Sequence, residues 1–375
     1  MFEMDVNNGV KQEVIKVIGV GGGGGNAVNR MIGSGTIGVE YIVMNTDAQV
    51  LQESEAPVRM QLGPKTTKGH GAGGFPDIGM KSAEESEAEI AGVLDGADMV
   101  FITAGMGGGT GTGAAPIVAR IAKSMGILTV AIVTKPFTRL EGPKQTKKAE
   151  KGIEELKKHV DTLIVIPNDK ILQLCPKGTK IQQAFQEANQ VLQNGVRAIT
   201  DLIEIPGIVN VDFADIRATM IDKGVGHIGI GSASGENRAI KAVESAINSP
   251  LLETTVAGAE RLLVSVAAGK GGPDIDEFEA VSDYVMGSVD NIDNVDVILG
   301  TAEVAELEDE IRVTVIATGF SEDMIKKPEE PVVEEAPQQE DELGLSQKSD
   351  EDVLFSSVGT LDFQIPDWIN PKKRK

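Results

Sequence analysis

The chain has 375 residues, of which 41% are apolar, and a formal net charge of −22 at pH 7. This length accommodates two folded domains and a tail, and the apolar content is sufficient for a buried core. The acidic balance argues against nucleic acid as a partner, because binding nucleic acid requires a basic surface. The single cysteine, Cys175, excludes intramolecular disulfides and suits a reducing cytoplasm.

Neither a metal cluster nor a membrane segment is indicated. The three histidines are scattered along the chain, so we predict no metal ligands from the protein. No apolar run reaches the ~18 residues that cross a bilayer, and residues 1–13 lack the basic and then apolar order of a signal peptide. We therefore expect a cytoplasmic protein with a flexible N-terminus and no direct membrane span.

Short apolar, β-branched runs alternate with helix-like segments through residues 14–180. Such runs are typical of strands buried on both faces of a parallel sheet. The alternation predicts a doubly wound, mostly parallel α/β domain. The predicted strands are Val14–Val20, Val39–Asn45, Asp98–Ala104, Ile127–Val133 and Thr162–Pro167, and the predicted helices between them include Asn26–Gly33, Lys81–Leu94 and Gly142–His159.

A long helix, Ile181–Ile205, is predicted next from its helical spacing. A helix of this length would cross most of a domain, so we interpret it as a central connecting helix. Residues 206–320 then predict a smaller α/β domain. Its predicted strands are Ile228–Ile230, Leu262–Ala268, Val295–Leu299 and Ile311–Ala317, and its predicted helices are Glu236–Asn248 and Asp274–Met286.

The apolar periodicity stops at Ser321. Residues 321–360 contain 12 acidic residues and 3 lysines. This composition predicts a disordered acidic linker, because it cannot bury enough apolar area to offset chain entropy. Residues 361–375 differ again, since they hold the only tryptophan, Trp368, and end in the basic cluster Lys372–Lys375.

The most informative motif is the glycine run Gly107–Gly113, which follows a predicted strand and precedes a predicted helix, Ala114–Met125. Without Cβ atoms, the chain can bring backbone N–H groups close to phosphate oxygens, and a helix N-terminus favours negative charge. The alternative is a flexible loop, which is rarely framed by two such apolar elements. The motif therefore predicts a phosphate-binding turn.

Another glycine run comes earlier in the chain, directly after the first predicted strand, and fits G-x-G-x-x-G through Gly19, Gly21 and Gly24. In chain order it is the first glycine run, and Gly107–Gly113 is the second. With Asp47 at the end of the next strand, it suggests an NAD-dependent oxidoreductase. Two glycine runs at neighbouring strand ends favour a triphosphate instead, held from both sides. The chain has no G-x-x-x-x-G-K-[ST] motif, which excludes an ordinary P-loop.

The segment Asn210–Asp215 follows the long helix and places Asp212 and Asp215 on one face if it turns helical. On spacing alone, helix capping is the more common explanation, because aspartate in a first turn accepts backbone N–H groups. The second explanation is catalysis, because a carboxylate can orient a water that attacks a phosphate.

Four smaller candidates are Glu141, Asn168, Phe185 and Asn189. Phe185 and Asn189 are four residues apart on the predicted central helix, so one could stack on a base and the other could hydrogen-bond it. The default explanation is that Phe185 packs in the core and Asn189 lies on the surface.

Together these motifs resemble the FtsZ family of bacterial tubulin homologues. Gly107–Gly113 is similar to the tubulin signature, and Asn210–Asp215 is similar to the loop that one subunit inserts into the nucleotide pocket of the next. The resemblance covers residues 14–320, and Asp362–Ile369 resembles the family's partner-binding peptide. It implies a GTP-binding domain over 14–180, a central helix over 181–205 and a GTPase-activating domain over 206–320.

The resemblance also implies a role for each matched residue. One subunit would bind GTP or GDP with Mg²⁺, and Asn210, Asp212 and Asp215 of its neighbour would complete hydrolysis. The implied nucleotide-binding residues are Gly22, Gly23, Gly24, Gly25, Asn26, Gly109, Thr110 and Gly111 at the phosphates, Ala72 and Gly73 at the γ-phosphate, Glu141 at the ribose, and Asn168, Phe185 and Asn189 at the guanine.

Two positions depart from the family pattern. Gln145, four residues after Glu141, stands where an arginine is usual, and a glutamine cannot replace a fixed, bidentate phosphate donor. Phe75 stands where an asparagine is usual. We retain Gln145 among the predicted nucleotide-binding residues and expect both changes to affect affinity and hydrolysis rate.

The implied function is a cytoskeletal GTPase that forms head-to-tail filaments for the bacterial division ring at midcell, on the inner face of the membrane. A heterologous contact of this kind gives filaments because it does not close on itself. Ile365, Pro366 and Trp368 would anchor the tail to membrane-tethering and regulatory division proteins. The alternatives are the NAD-dependent oxidoreductase and a nucleotide-binding scaffold that assembles but hydrolyses poorly.

Overall fold

The computed structural model describes residues 13–33, 38–176, 178–204, 209, 211–252, 256–289 and 295–320. Within these residues, ten strands form one sheet. They are β1 Ile15–Val20, β2 Val39–Asn45, β3 Val58–Gln61, β4 Met99–Gly105, β5 Leu128–Lys135, β6 Thr162–Pro167, β7 Gly224–Ser234, β8 Arg261–Ala268, β9 Asp296–Glu303 and β10 Glu310–Thr318.

The α-helices of the same residues lie between these strands. They are α1 Gly21–Gly33, α2 Ala48–Gln52, α3 Pro64–Thr67, α4 Pro76–Glu85, α5 Glu87–Leu94, α6 Thr110–Ser124, α7 Thr138–Glu141, α8 Pro143–Lys157, α9 Asn168–Leu174, α10 Ile181–Glu204, α11 Phe213–Met220, α12 Arg238–Ile247 and α13 Ile275–Gly287.

The strand order is β3-β2-β1-β4-β5-β6-β7-β10-β8-β9, and the strands from β3 to β7 are parallel. The chain moves outward from β1 to β3 and then returns to place β4 on the other side of β1. Ligands of doubly wound sheets bind at such a reversal, beyond the carboxyl ends of the strands. The predicted doubly wound fold is confirmed.

The second part of the sheet continues from the first through β7. Its first residues pair with β6 (Thr162 with Gly224), and its later residues pair antiparallel with β10 (Ala233 with Ile311). Strand β8 is antiparallel to β10 and parallel to β9. The C-terminal α/β region is therefore an extension of the same sheet.

The parallel strands are largely apolar because both faces of the sheet are buried. Val17 and Ile18 are neighbours on β1 and both are fully buried, but Val17 belongs to the core that contains Leu192 of α10, whereas Ile18 belongs to the core that contains Val118 of α6. Successive side chains of a strand point to opposite faces, so both faces of this sheet are covered and every position favours an apolar residue.

Helix α10 runs the full length of the parallel strands. Its 24 residues span about 36 Å at 1.5 Å per residue. Near its start, Phe185 packs edge-on against Phe137, which follows the carboxyl end of β5, with ring centroids 5.0 Å apart. Its last residue, Glu204, lies beside Gly38 at the amino end of β2. The central helix predicted from the sequence therefore runs from the carboxyl edge of the parallel sheet to its amino edge.

Several local features differ from the sequence prediction, among them the following three. Strand β3 was not predicted. The single helix predicted over Lys81–Leu94 is two helices, α4 and α5, because the chain bends at Ser86, whose hydroxyl accepts a hydrogen bond from the Gly63 N–H. The first glycine run is the opening turn of α1 rather than a loop. No helix among the described residues is long and apolar enough to cross a membrane.

Candidate functional site

Most of the predicted nucleotide-binding residues follow the carboxyl ends of parallel strands. The first glycine run follows β1, the second follows β4, Glu141 lies after β5 and Asn168 follows β6. Phe185, near the start of α10, reaches the same edge through Phe137. Because parallel strands end at a common edge, residues far apart in sequence are brought together here.

The two glycine runs are in direct backbone contact. A Cβ on Gly21, whose φ is +74°, would lie 2.8 Å from the Gly111 nitrogen, and a Cβ on Gly23 would lie 3.1 Å from the Gly105 nitrogen. Gly24 approaches the Thr103 carbonyl so closely that a Cβ there would overlap its oxygen. Only glycine permits these approaches. At Gly22, by contrast, a Cβ would meet no described atom within 4 Å.

Threonine hydroxyls hold helix α6, which begins within the second glycine run. Gly109 is the N-cap position of α6, and the Gly107 N–H donates to Thr112 Oγ1 at 2.8 Å. The hydroxyls of Thr110 and Thr46 are 2.6 Å apart. Thr46 follows β2 and was missed from the sequence, where a single threonine after a strand carries no distinguishing signal. The turn therefore connects three neighbouring strand ends.

The segment Ala72–Phe75 lies against this turn. A Cβ on Gly109 would be 2.8 Å from the Ala72 Cβ and 3.0 Å from the Phe75 nitrogen. Gly73 and Gly74 both have positive φ, +58° and +74°, a conformation that glycine adopts without strain. The predicted γ-phosphate segment is therefore adjacent to the predicted phosphate turn.

The predicted ribose and base residues surround Phe137. Glu141 Oε1 accepts a hydrogen bond from the Phe137 N–H at 2.9 Å, and burial, opposed by this hydrogen bond, raises the pKa of its carboxyl. Phe185 packs edge-on against Phe137 yet remains 40% exposed. Asn189 is half-buried one turn later on α10. An aromatic face that is partly open to solvent fits a stacked base better than a purely structural core residue.

Two buried polar atoms lack partners near this edge. The side-chain oxygens of Gln145 and Asn168 are buried and have no hydrogen-bond donor among the residues described. A buried acceptor that is left unsatisfied costs free energy, so such atoms are expected to meet a ligand or water. Amide groups suit a base or a hydrated phosphate, and both residues were predicted to contact the nucleotide. The two acceptors are therefore compatible with the N–H groups of a guanine nucleotide or with ordered water.

The predicted catalytic acids form a helix N-terminus. Asp212 is the N-cap of α11 and accepts the Asp215 N–H at 2.8 Å, and both side chains are exposed. The capping explanation is therefore correct for the local structure, and it leaves the second carboxylate oxygen of Asp212 and the carboxylate of Asp215 facing solvent. Asn210 lies outside the described residues, as do Ile365, Pro366 and Trp368.

The segment that carries these acids begins and ends at the opposite edge of the sheet from the glycine runs, since Glu204, the last residue of α10, lies beside Gly38 at the amino end of β2. At the far end of α11, the Met220 carbonyl accepts a hydrogen bond from the Thr162 hydroxyl, at the amino end of β6. The glycine runs follow the carboxyl ends of β1 and β4, which have six and seven residues and span roughly 20 Å. The structure therefore separates the two predicted parts of the site within one chain.

Asp47 is the residue on which the dinucleotide alternative depends, and its side chain already makes local hydrogen bonds. Its Oδ1 accepts the N–H groups of Gln49 at 2.9 Å and Val50 at 3.4 Å, so it caps α2. The described residues contain no group of three or more His, Cys, Asp or Glu side chains that could hold a metal ion. Any divalent ion here would depend mainly on phosphate oxygens and water.

A doubly wound sheet with two touching glycine turns and no P-loop lysine is the framework of a nucleotide-binding protein outside the ordinary P-loop class. Residues 14–176 match the model of the Tubulin/FtsZ family GTPase domain, and residues 224–321 match that of the FtsZ family C-terminal domain. The chain belongs to the FtsZ family. It therefore carries a GTPase domain of this family, which binds and hydrolyses a guanine nucleotide, and this replaces the oxidoreductase alternative.

Solved structures agree with this assignment. An empty FtsZ dimer of M. jannaschii is 42% identical, with a TM-score of 0.79 over 82% of this chain and 88% of that one. A tryptophan-to-tyrosine mutant of the same protein gives the same identity and TM-score and is covered to 92%. GDP-bound CetZ1 of Haloferax volcanii is 23% identical with a TM-score of 0.70, over 82% of this chain and 95% of that one, and shares the fold.

Proposed function

We propose that this protein is a GTP-dependent, self-assembling GTPase whose active site is completed between two subunits stacked head to tail. The observation that carries the proposal is the separation of the glycine runs from Asp212 and Asp215, at opposite edges of one sheet. If the acids act on GTP, they must act on the GTP of another copy. A head-to-tail contact brings the amino edge of one subunit onto the carboxyl edge of the next and repeats without closing.

Each predicted residue then has a physical task. The backbone of Gly22–Asn26 and Gly109–Gly111 would donate to phosphate oxygens, Ala72 and Gly73 would approach the γ-phosphate, and Glu141 would accept from the ribose. Phe185, Asn189 and Asn168 would bind the base, and Gln145 would donate its amide to a phosphate. Because the described residues hold no cluster of metal ligands, Mg²⁺ would enter with the nucleotide and would supply neutralisation of phosphate charge.

Asp212 and Asp215 would orient the attacking water. Both are exposed carboxylates, which suits groups that meet substrate only when a second subunit arrives. Self-association has direct precedent, because the 42% identical FtsZ structure is a dimer. Hydrolysis that depends on assembly would couple turnover to filament length.

The biological role that we propose is a cell-division ring at midcell, on the cytoplasmic face of the membrane. The match of residues 224–321 to the FtsZ family C-terminal domain supports this role. Because the compared relatives come from archaea, the proposal is not restricted to bacteria. Residues 361–375 would bind membrane-tethering and regulatory partners, with 321–360 as a linker.

A complementation experiment tests the shared site. Asp212→Asn removes the charge but retains a good N-cap residue. Gly22→Val adds a side chain where a Cβ would meet no described atom within 4 Å, so it should preserve the fold and obstruct the phosphates. Each variant alone should lose most GTP turnover, and an equimolar mixture should recover activity, because a Gly22→Val subunit can supply Asp212 to a GTP-loaded Asp212→Asn neighbour.

Phosphate release and 90° light scattering should be followed together, with GTP and, as a control, NADH. A mixture that remains as inactive as its components, while Asp212→Asn still assembles, would contradict the shared site. Normal turnover in Asp212→Asn alone would remove Asp212 from the mechanism. Wild-type assembly with negligible phosphate release would instead support the poorly hydrolysing scaffold.

A further inference from the structure

Helix α8 contacts both segments of the candidate phosphate site. Gln145 and Lys148 are three residues apart on it and therefore share a face. The Gln145 carbonyl oxygen would lie 3.1 Å from a Cβ on Gly107, so the first turn of α8 packs on the phosphate turn. One turn later, Lys148 Nζ donates to the Gly74 carbonyl at 2.6 Å. This helix therefore adds a second connection between the phosphate turn and the Ala72–Phe75 segment, beside their direct contact at Gly109.

A second contact joins Lys148 to the same segment. Its Nζ lies 5.9 Å from the centroid of the Phe75 ring, at the outer limit of a cation–π interaction. Phe75 is 60% exposed, which is unusual for a large aromatic side chain without such a partner. The two residues that depart from the family pattern, Phe75 and Gln145, thus lie on either side of Lys148.

The segment itself cannot fix its own conformation. Gly73 and Gly74 are consecutive residues with positive φ, and glycine has access to many other conformations at little cost. The segment has one internal backbone hydrogen bond, from the Phe75 N–H to the Ala72 carbonyl at 3.0 Å. The hydrogen bond from Lys148 adds an anchor from outside the segment, at the Gly74 carbonyl.

The charge of Lys148 also remains available. None of the carboxylates of the described residues lies within ion-pair distance of it, although Lys135 on β5 pairs with Glu150 of the same helix. An ammonium group has three donors, and one of them is used on Gly74. The remaining charge adds to the positive potential at the place where Ala72 and Gly73 would approach the terminal phosphate.

We infer that Lys148 is a positioning residue that makes the site selective for a nucleoside triphosphate over the diphosphate. It holds the Ala72–Phe75 segment against Gly109, and its ammonium group favours the additional charge of the third phosphate. This inference rests on the proposed function. Lys148 would supply the positive charge beside the phosphates that an arginine at position 145 usually provides in the family.

The test compares affinities for GTPγS and GDP below the assembly concentration, measured by competition against a fluorescent guanine nucleotide. Lys148→Gln should reduce the preference for GTPγS over GDP by about tenfold, the size expected when one charge-assisted hydrogen bond is lost. Lys148→Arg, which keeps the charge and donors, should retain most of the preference. Phe75→Leu should have a smaller effect, because the hydrogen bond to Gly74 remains.

Lys147→Gln is the matched control, since it removes the same charge one residue earlier on α8, where the side chain is exposed. Its nucleotide preference should equal that of the wild type. If Lys148→Gln weakens GTPγS and GDP equally, or if Lys147→Gln changes the preference as much, the inference is wrong and the proposed function stands. If the wild type binds neither nucleotide, both are wrong.

Discussion

The two edges of the parallel sheet are built by different means. At the carboxyl edge, glycines bring backbone to within contact distance of backbone, as between Gly21 and Gly111. At the amino edge, the functional candidates are side chains, the exposed carboxylates of Asp212 and Asp215. A backbone site is rigid and complete within one chain, whereas a side-chain site on an exposed helix end can be offered to another molecule. This difference is what a shared active site requires.

The largest expected effect tests whether the carboxyl edge depends on missing Cβ atoms. Gly24→Ala would place a methyl group against the Thr103 carbonyl, with no space for it. Overpacking against backbone should cost about 3 kcal/mol or more of the free energy of unfolding. Gly22→Ala, in the same helical turn, should leave stability unchanged or raise it by up to about 1 kcal/mol.

Urea unfolding without nucleotide measures both effects. Nucleotide binding provides the second readout, because a methyl group on Gly22 projects from the turn predicted to hold the phosphates and should weaken binding in a folded protein. Equal stability of the two alanine variants would mean that the glycine contacts do not determine this edge.

The carboxyl edge was largely predictable from the sequence, because a close backbone approach leaves a visible trace, a run of glycines after a strand. The threonine pair Thr46–Thr110 was not, since its members are 64 residues apart and meet only when β2 and β4 flank β1. Lys148 was also missed, because it is one of many lysines on a solvated helix and its partners, Gly74 and Phe75, are far from it in sequence.

At the amino edge, the sequence left two explanations of Asp212 and Asp215, helix capping and catalysis. The local structure is compatible with both. An N-cap aspartate and a catalytic aspartate can be the same residue. The structure adds the edge of the sheet at which this segment lies, and the proposed catalytic role is argued from that position. This placement follows from the path of α10 across the fold and not from the sequence around position 212.

Two buried titratable groups in the C-terminal half of the chain should give pH dependences of opposite sign. Burial raises the pKa of Asp201 on α10 from 3.8 to about 6, against the opposing effect of Arg197. Burial lowers the pKa of His227 on β7 from 6.5 to about 4. Asp201 therefore lowers stability as pH rises from about 4 to 6, whereas His227 lowers stability as pH falls from about 6.5 to 4.

Single variants should reveal each contribution, because the two partly cancel in the wild type. As pH rises from 4 to 7, the unfolding free energy of Asp201→Asn minus that of the wild type should increase by roughly 3 kcal/mol. As pH falls from 7 to 4, the same difference for His227→Gln should increase by roughly 3 kcal/mol. Urea unfolding at pH 4.5, 5.5 and 7 measures the differences. Difference curves of the same sign for both variants would contradict this assignment.

The smallest expected effect separates capping from catalysis at Asp212. Asp212→Ala should cost about 1 kcal/mol of stability through loss of the N-cap, whereas Asp212→Asn should cost little, since asparagine caps equally well. Both should lose GTP turnover if the charge orients water. Thermal unfolding and phosphate release on the same samples give the two readouts.

A matched control exists on α13. Asp274 is its N-cap and accepts the Glu277 N–H at 2.8 Å, the same hydrogen bond and distance as Asp212 with Asp215, and the Asp274 N–H also donates to Glu277 Oε2 at 3.1 Å. Asp274→Ala should therefore cost a similar ~1 kcal/mol without changing turnover. If Asp274→Ala lowers turnover as much as Asp212→Ala does, then the loss reflects weakened folding of the C-terminal region, and the amino edge supplies no acid to the neighbouring subunit. If turnover falls only with the Asp212 variants, the charge at that position has a role beyond capping.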